Sequence, residues 1–376
     1  MEVVIQSTFS GFKMNKYFIS LRTQFPNLGD LLINRALLEE VLERGEVYVD
    51  VSGVPSWYLS IILNSLPCKN IRVRNVLSFY TSFLYSLALN IFKRESSTFL
   101  LLKPGGYMAI TSLEVALRRG IHGASLHIWR LLGANIVRAP SSQRNSIGIF
   151  RYIDKFRLSA VSSSLIRDVI SEEEMQDLTI PFLSSYDLAI LFFALPRHSL
   201  FKPQSNECAS RSRLAISFRK PRTIEEENHY LDIAEHLSGE VRTVQFVSQV
   251  FYDDEINSRL AQSFGAQFVQ YLGTVNSIED VVNQYEVAEF VISNRLHVLL
   301  LALLNGAIPI AVVGDEDSKI EGFFAKLGMH NFVYRATDAA KLDLSKVRSE
   351  WREELYGQIV RQAELLKNQL YEVLSK

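Results

Sequence analysis

The sequence predicts an α/β protein made of two domains, each with a parallel sheet covered by helices. Short apolar runs typical of buried parallel strands alternate along the chain with segments of helical length and periodicity. At 376 residues the chain is longer than a single hydrophobic core usually supports. Residues 196–213 are rich in Pro, Ser, Asn and charge, which is typical of a linker. We therefore predict domains at residues 1–195 and 214–348, followed by a terminal helical segment at residues 349–376.

The composition is that of a folded globular protein with little net charge. Hydrophobic residues make up 48% of the chain and charged residues 22%. The 40 Lys and Arg residues nearly balance the 41 Asp and Glu residues, so there is no overall basic field for non-specific nucleic-acid binding. Cys68 and Cys208 match neither a metal-ligand spacing nor a disulfide framework. We expect no nucleic-acid partner, no dedicated metal site and no cofactor. Because residues 1–17 lack a secretion-type pattern, we expect a cytoplasmic protein.

The first domain begins with a strand, a polar turn and a helix. Residues 18–21 form the predicted strand, and Asn27, Gly29 and Asp30 form the turn before a helix with apolar residues at helical spacing. Asp30 therefore stands at or beside the amino terminus of that helix. The ordinary role of a carboxylate at that position is to cap the helix. Residues 47–51 are the next predicted strand.

Residues 75–92 form an apolar segment with two open interpretations. The segment contains no charged residue, and three serines at four-residue spacing would line one face of a helix. Basic residues flank it: Lys69, Arg72, Arg74, Lys93 and Arg94. The segment is either a helix packed on the core or an amphipathic helix that lies on an anionic membrane surface.

Four further segments complete the predicted first domain. Residues 99–102 form a buried strand, and Gly105 and Gly106 after it permit close approach of a ligand to the backbone. The remaining strands are predicted at residues 134–137, 158–164 and 188–193.

The second domain contains the segment that points most clearly to chemistry. We predict strands at residues 214–218 and 241–247, a helix that starts at Ser277, and a strand at residues 290–292. An apolar helix follows at residues 296–304, then a strand at residues 308–313, a polar loop at residues 314–319 and an amphipathic terminal helix from Trp351.

Arg295 and His297 lie in the turn between a buried strand and the apolar helix. Such turns lie at the carboxyl edge of a parallel sheet, where α/β proteins bind ligands. The helix also directs its free N–H groups into the same crevice, which favours an anion. The alternative is an Arg paired with a neighbouring carboxylate and a His that caps the helix.

Five stretches in order resemble the polysaccharide pyruvyl transferase family. Ser293-Asn294-Arg295-Leu296-His297, with Gly306-Ala307-Ile308-Pro309 after the helix and Asp317-Ser318-Lys319-Ile320 later, resembles the carboxyl-terminal signature of that family. The other stretches are Asn27-Leu28-Gly29-Asp30, Pro104-Gly105-Gly106, Ile166-Arg167-Asp168 with Tyr186-Asp187-Leu188-Ala189, and Ile216-Ser217-Phe218-Arg219. The resemblance covers residues 27–328.

The resemblance implies a fold and an activity. The fold would be two Rossmann-like domains that face a central cleft, as in GT-B enzymes, with the terminal helix crossing back onto the first domain. The activity would be transfer of pyruvate from phosphoenolpyruvate to two hydroxyls of a sugar, which forms a cyclic ketal in exopolysaccharide, capsule or cell-surface glycan biosynthesis. Phosphoenolpyruvate would be the donor substrate. An acceptor carried on a lipid would bring the enzyme to the cytoplasmic face of the membrane as a peripheral protein.

The resemblance also suggests roles for individual residues. The donor carboxylate and phosphate suit the planar guanidinium fork, which we expect from Arg295, Arg219 and Arg167, with Lys319 as a further cation. A structural Arg167–Asp168 pair, or pairing of Lys319 with Asp315 or Asp317, is the alternative. His297 would be the general acid and base, with Asp30 or Asp187 assisting on the acceptor side. The expected acceptor contacts are Asn27, Gly29, Asp187, Gly105 and Gly106.

Two other classes of function remain open at this stage. A nucleotide-sugar glycosyltransferase can share the two-domain architecture, and a non-catalytic binding protein can serve the same pathway. The sequence contains no Walker-type, His-Glu-x-x-His or Gly-x-Ser-x-Gly motif, so nucleotide hydrolysis, zinc proteolysis and esterase activity are not favoured.

Overall fold

The protein contains two parallel sheets. The computed structural model describes residues 14–93, 96–194, 213–314, 318–351 and 353–375. The predicted linker therefore lies outside the described residues, apart from Arg213, where the second sheet begins. Asp315 and Asp317, the predicted partners of Lys319, also lie outside them.

The first sheet has eight strands, and each strand pairs in parallel with its neighbours. Their order is β3-β2-β1-β4-β6-β7-β8, with β5 paired to β6. The strands are β1 (Asn15–Ser20), β2 (Gly45–Asp50), β3 (Ile71–Arg74), β4 (Thr98–Leu102), β5 (Gly105–Tyr107), β6 (Asn135–Gln143), β7 (Ser163–Ile166) and β8 (Leu183–Ser184). The helices between them are α1 (Leu28–Leu42), α2 (Ser56–Leu63), α3 (Val76–Lys93), α4 (Leu113–Leu131), α5 (Phe150–Ser159) and α6 (Val169–Asp177).

Alternate residues of the central strand β1 face different helical layers. Tyr17 and Ile19 lie in one hydrophobic cluster with the buried side chains of α1, whereas Phe18 packs with Phe83 of α3 and Leu126 of α4. The sheet is therefore covered on both faces, which explains why its strands are apolar runs.

The second sheet has six parallel strands in the order β11-β10-β9-β12-β13-β14. The strands are β9 (Arg213–Ser217), β10 (Thr243–Ser248), β11 (Gln267–Gln270), β12 (Phe290–Ser293), β13 (Ile308–Val313) and β14 (Val333–Arg335). The helices are α7 (Ile224–Ser238), α8 (Asp254–Ser263), α9 (Val275–Val287), α10 (Leu296–Leu304), α11 (Ser318–Lys326), α12 (Leu344–Glu350) and α13 (Glu353–Leu374). The predicted α/β class with parallel sheets is confirmed.

The terminal helix α13 packs against residues that belong to the first sheet and to the 3₁₀ helix after it. The ring centroids of Tyr356 and Phe193 are 5.4 Å apart. The hydroxyl of Tyr17 in β1 donates a 2.7 Å hydrogen bond to the carbonyl oxygen of Leu374. The end of the chain therefore contacts the strand near its beginning.

Helix α3, the apolar segment predicted at residues 75–92, packs on the core with only one of its faces. Phe79, Phe83 and Leu87 are buried between the helix and the sheet. Leu77, Tyr85 and other large side chains on the outer face are exposed. No helix in the described ranges is long and apolar enough to cross a bilayer.

Three sequence predictions of local structure were wrong. Residues 188–193 form a buried 3₁₀ helix rather than a strand, because the Asp187 side chain accepts a hydrogen bond from the Ala189 N–H and caps a helical turn. Residues 158–164 are not one strand, since α5 continues to Ser159 to pack against α4 and β7 begins only at Ser163. Ser277 lies inside α9 rather than capping it, because Thr274 is the cap and the two residues form a reciprocal capping box.

Candidate active site

A cavity of about 670 Å³ lies where loops from the carboxyl ends of both sheets meet. In each sheet the strand order reverses beside a central strand, between β1 and β4 and between β9 and β12. Ligands of open α/β sheets bind at such reversal points. Arg219 follows β9, Arg295 and His297 follow β12, and Asn27 and Asp30 follow β1, and all five line this cavity.

The two halves of the cavity are joined by backbone hydrogen bonds. The Leu28 N–H donates to the carbonyl oxygen of Gln249 over 3.0 Å, and the Phe251 N–H donates to that of Pro26 over 3.1 Å. The side chain of Asn27 caps α1 by accepting a 2.9 Å bond from the Gly29 N–H. The start of α1 is therefore held against the loop after β10.

Ser293 and Asn294 fix the loop that carries the chemistry. The Ser293 hydroxyl donates to the carbonyl oxygen of Ser217 over 2.5 Å, which ties the end of β12 to β9. The Asn294 carbonyl oxygen accepts a 2.7 Å bond from the Arg219 N–H, and its amide donates to the Tyr230 hydroxyl. These polar residues hold the strand ends beneath Arg219 and Arg295 in one arrangement.

Arg295 is held by a carboxylate but still faces the cavity. Its Nε and Nη2 donate to the two oxygens of Asp253 over 2.9 and 2.8 Å, and its side chain remains 28% exposed. This bidentate pair uses two of the five guanidinium N–H donors and leaves three for an anion in the cavity.

His297 lies in the first turn of α10, beside a buried carboxylate. Its Nε2 is 3.4 Å from Oδ2 of Asp187, and the guanidinium of Arg167 pairs with the same oxygen. Burial alone opposes the charged form of Asp187, but the charges of Arg167 and His297 and the Ala189 N–H outweigh it, so the pKa of this carboxyl lies below its usual range. Asp187 therefore stays ionised and accepts hydrogen bonds from both neighbours.

Gly29 lies directly against the His297 ring. A Cβ added to Gly29 would lie 2.3 Å from Nδ1 of His297 and 2.7 Å from its Cγ. The backbone of Gly29 is helical, so glycine is required here by the close approach rather than by its conformational freedom. The imidazole is therefore confined between α1 of the first half and Asp187.

Lys319, at the start of α11, adds a further cation to the lining of the cavity. Its ammonium group makes no hydrogen bond or ion pair with any residue in the described ranges, and it lies close to Gly106, where an added Cβ would be 2.9 Å from Nζ. Burial, with the nearby positive charges of Arg167 and Arg144, lowers the pKa of Lys319, although Asp168 opposes the shift. An anion in the cavity would relieve this unfavourable environment.

Only some of the residues predicted on the acceptor side line the cavity. Asn27 and Asp30 line the cavity, whereas Gly29, Gly105, Gly106 and Asp187 do not. The Asp30 carboxylate accepts hydrogen bonds from the Thr23 hydroxyl and the Gln24 N–H. Asp187 reaches the cavity only through Arg167 and His297, which it contacts directly.

Arg167 and Asp168 do not form the neighbouring ion pair that was the alternative. Arg167 pairs with Asp187, while the Asp168 side chain caps α6 through the Ser171 N–H. The Arg167 side chain also lines the cavity.

Sequence reasoning missed Asp253, Arg144 and Arg222. Asp253 holds Arg295, and Arg144 and Arg222 line the cavity. A usable signal was present, because each follows the carboxyl end of a strand: Arg144 after β6, Arg222 after β9 and Asp253 after β10.

Most charged side chains that line the cavity are cations, although carboxylates behind the lining pair with Arg167, Arg295 and Arg219. The charged lining comprises Arg144, Arg167, Arg219, Arg222, Arg295 and Lys319, against the single carboxylate of Asp30. Within the described residues no group of three or more His, Cys, Asp or Glu side chains is placed to hold a metal ion. The arrangement suits a small ligand with more than one negative charge, held beside an imidazole that can exchange protons.

Comparison with known protein families shows the family of this chain. The family model described as polysaccharide pyruvyl transferase matches residues 27–315, which include every predicted site residue except Lys319. The chain belongs to the polysaccharide pyruvyl transferase family. A transferase that acts on a saccharide is the activity that the family's name describes. A search of curated proteins gave no significant sequence match.

Solved structures resemble this family member in fold. A putative UDP-N-acetylglucosamine 2-epimerase from Listeria monocytogenes aligns over 95% of both chains with a TM-score of 0.55 and 8% identity. Another UDP-N-acetylglucosamine 2-epimerase aligns over 96% of both chains with a TM-score of 0.54 and 10% identity. The predicted GT-B-like arrangement of two parallel-sheet units around a central cleft is confirmed.

Proposed function

We propose that this transferase moves pyruvate from phosphoenolpyruvate to two hydroxyls of one sugar and forms a cyclic ketal. The observation that carries the proposal is the cationic cavity with an imidazole at its wall, where His297 contacts the ionised Asp187. Its volume of about 670 Å³ lies in the range of small-molecule sites, ~300–1,000 Å³.

The donor carries a carboxylate and a phosphate, and the cavity offers cations for both. Arg219, Arg295 and Lys319 follow strands of the second sheet, while Arg167 follows β7 of the first. Charge-assisted hydrogen bonds of this kind contribute roughly 1.5–3 kcal/mol each. We assign the ammonium of Lys319 and the remaining donors of Arg295 to the donor anions.

The reaction needs two proton transfers. One sugar hydroxyl adds to C2 of phosphoenolpyruvate while a proton goes to the methylene carbon, which becomes the methyl group. The second hydroxyl then displaces phosphate from C2, and its proton is transferred to the leaving phosphate. The products are the ketal and inorganic phosphate, so atoms and charge balance without a redox cofactor.

His297 is our candidate for these transfers. The imidazole contacts the ionised Asp187 through Nε2 and lines the cavity, so we assign it the uptake and release of protons beside the bound reactants. Asp187 is a positioning residue in this scheme. Asp30 and Asn27 line the cavity from the first half, where we place the acceptor sugar.

Phosphate release and product mass test the proposal together. The purified protein is incubated with phosphoenolpyruvate and a panel of free and lipid-linked saccharides. We expect acceptor-dependent phosphate release and a product that carries one pyruvate ketal. UDP-sugars replace phosphoenolpyruvate in a control. Thermal stabilisation and glycosyl transfer with a UDP-sugar, without either effect from phosphoenolpyruvate, would favour a glycosyltransferase instead.

A further inference from the structure

The outer faces of α3, α4 and α5 are unusually apolar for a protein surface. Nineteen of the twenty-nine large hydrophobic side chains that the described residues expose lie between residues 73 and 156. Phe92 is 85% exposed, Leu131 87% and Ile149 76%. Exposed apolar surface at this density marks an interaction site. We name the outward side chains of these three helices and residues 147–149 the apolar helical face.

The three helices lie side by side, so their outer side chains form one surface. The rings of Tyr80 in α3 and Trp129 in α4 stack at 5.7 Å. Helices α4 and α5 together line a shallow groove of about 580 Å³ with apolar walls, to which Leu117, Ile121 and Ile149 contribute.

The same part of the chain carries a large positive charge. Residues 69–160 contain fourteen Lys and Arg residues and three Asp and Glu residues, a formal net charge of +11 in a chain whose total is −1. Arg118, Arg130, Arg151 and Lys155 are exposed on α4 and α5. The exposed acid on these helices is Glu114, which is paired with Arg118.

We infer that the apolar helical face docks on an anionic phospholipid membrane. Apolar side chains that insert among headgroups, with basic side chains around them, are the features that hold an amphipathic surface on such a membrane. A second copy of this chain is a poorer occupant, because a two-fold contact through this face would bring two strongly positive surfaces together.

The face also reaches the cavity. Met108 is 64% exposed and lines the cavity, and its carbonyl oxygen accepts a 2.5 Å hydrogen bond from Arg119 of α4. The Ile110 N–H donates to the Ser146 hydroxyl over 2.7 Å, so the loop of Met108 lies beside residues 147–149. Docking would place the cavity mouth near the membrane surface. This part of the inference rests on the proposed function and identifies the acceptor as a saccharide on a lipid carrier.

Vesicle flotation of the full-length protein tests the docking. We expect the protein to float with vesicles of phosphatidylglycerol and phosphatidylcholine, and much less with phosphatidylcholine alone. One triple variant removes apolar side chains from the face: Leu117→Ser, Ile121→Ser and Ile149→Ser. Its matched control removes exposed apolar side chains elsewhere: Ile224→Ser, Leu272→Ser and Leu365→Ser. The first variant should lose at least tenfold in partition coefficient and the control should not.

A charge variant separates the electrostatic contribution to membrane binding from the apolar one. It combines Arg118→Gln, Arg151→Gln and Lys155→Gln. Binding to anionic vesicles should fall about fivefold for each charge removed, while the weak binding to neutral vesicles stays unchanged. Circular dichroism and thermal unfolding of all variants establish that they are folded.

Several outcomes would overturn the inference. These are a wild-type protein that does not float, equal binding by the apolar variant and its control, or a wild-type dimer that the apolar variant converts to monomer. Turnover of phosphoenolpyruvate with a free saccharide is measured in parallel. Turnover without flotation rejects the docking and keeps the proposed function, whereas flotation without turnover on any acceptor does the reverse.

Discussion

Gly29→Ala is a sharp test of the site because it removes no functional group. The added Cβ would lie 2.3 Å from Nδ1 of His297 and 2.7 Å from its Cγ. Non-bonded heavy atoms settle at ~3.5 Å, so the imidazole must move by ~1 Å. A displacement of that size costs up to ~10²-fold in turnover when the displaced group acts on the substrate. Overpacking of this kind also costs ~1–3 kcal/mol of folding free energy.

The assay is steady-state phosphate release at saturating acceptor, with urea unfolding alongside. We expect kcat to fall by about 10²-fold, with a smaller change in KM for phosphoenolpyruvate because the cations that bind the donor do not contact Gly29. Gly120→Ala is the matched control, since a Cβ there meets nothing within 4 Å and lies inside helix α4. That control should keep wild-type turnover and gain ~0.5–1 kcal/mol of stability. Wild-type kcat in a folded Gly29→Ala protein would refute the placement of His297 in the chemistry.

Three further predictions concern the residues around that imidazole. His297→Ala should lower kcat by ~10²–10⁴ with KM for the donor less affected, and full turnover would remove the residue from the mechanism. Asp187→Asn leaves the buried charge of Arg167 without its partner, so urea unfolding at neutral pH should show a loss of ~3–5 kcal/mol. The folded-state pKa of Asp187 is lowered, so its ionised carboxylate contributes fully to the free energy of unfolding at any pH above the ordinary carboxyl pKa. The difference in unfolding free energy between wild type and variant should therefore narrow only below about pH 4. Lys319→Met should raise KM for phosphoenolpyruvate about tenfold or more. Since the pKa of Lys319 is lowered, donor affinity should decline with rising pH earlier than an ordinary lysine would allow, and Lys319→Arg should abolish that decline. A flat alkaline profile in the wild type would contradict the lysine's role.

The sequence predicts a buried helix or strand correctly where the length of the apolar run fits only one of the two. Helix α10 and strand β13 have the predicted bounds, because an apolar run of nine residues that ends before Gly306 suits a buried helix and a run of six suits a buried strand. Residues 188–193 have the same apolar character but form a 3₁₀ helix. Periodicity cannot separate these cases, and the cap from Asp187 decides between them.

The sequence identifies the cations of the site but not the carboxylates that hold them. Cations and polar residues at the carboxyl ends of strands can be identified along the chain, as Arg219, Arg295 and His297 were. Their partners come from distant segments: Asp253 precedes Arg295 by 42 residues, and Asp187 precedes His297 by 110. Which carboxylate holds which cation depends on the three-dimensional arrangement of the strand ends, and so does the packing of Gly29 on the imidazole.

The uneven charge of the chain also affects how the protein behaves in solution. With +11 in residues 69–160 and a total of −1, the remainder carries a large negative charge, so the isoelectric point of about 6.7 conceals a strongly basic segment. The protein should bind a sulfonate column at a pH where its net charge is almost zero.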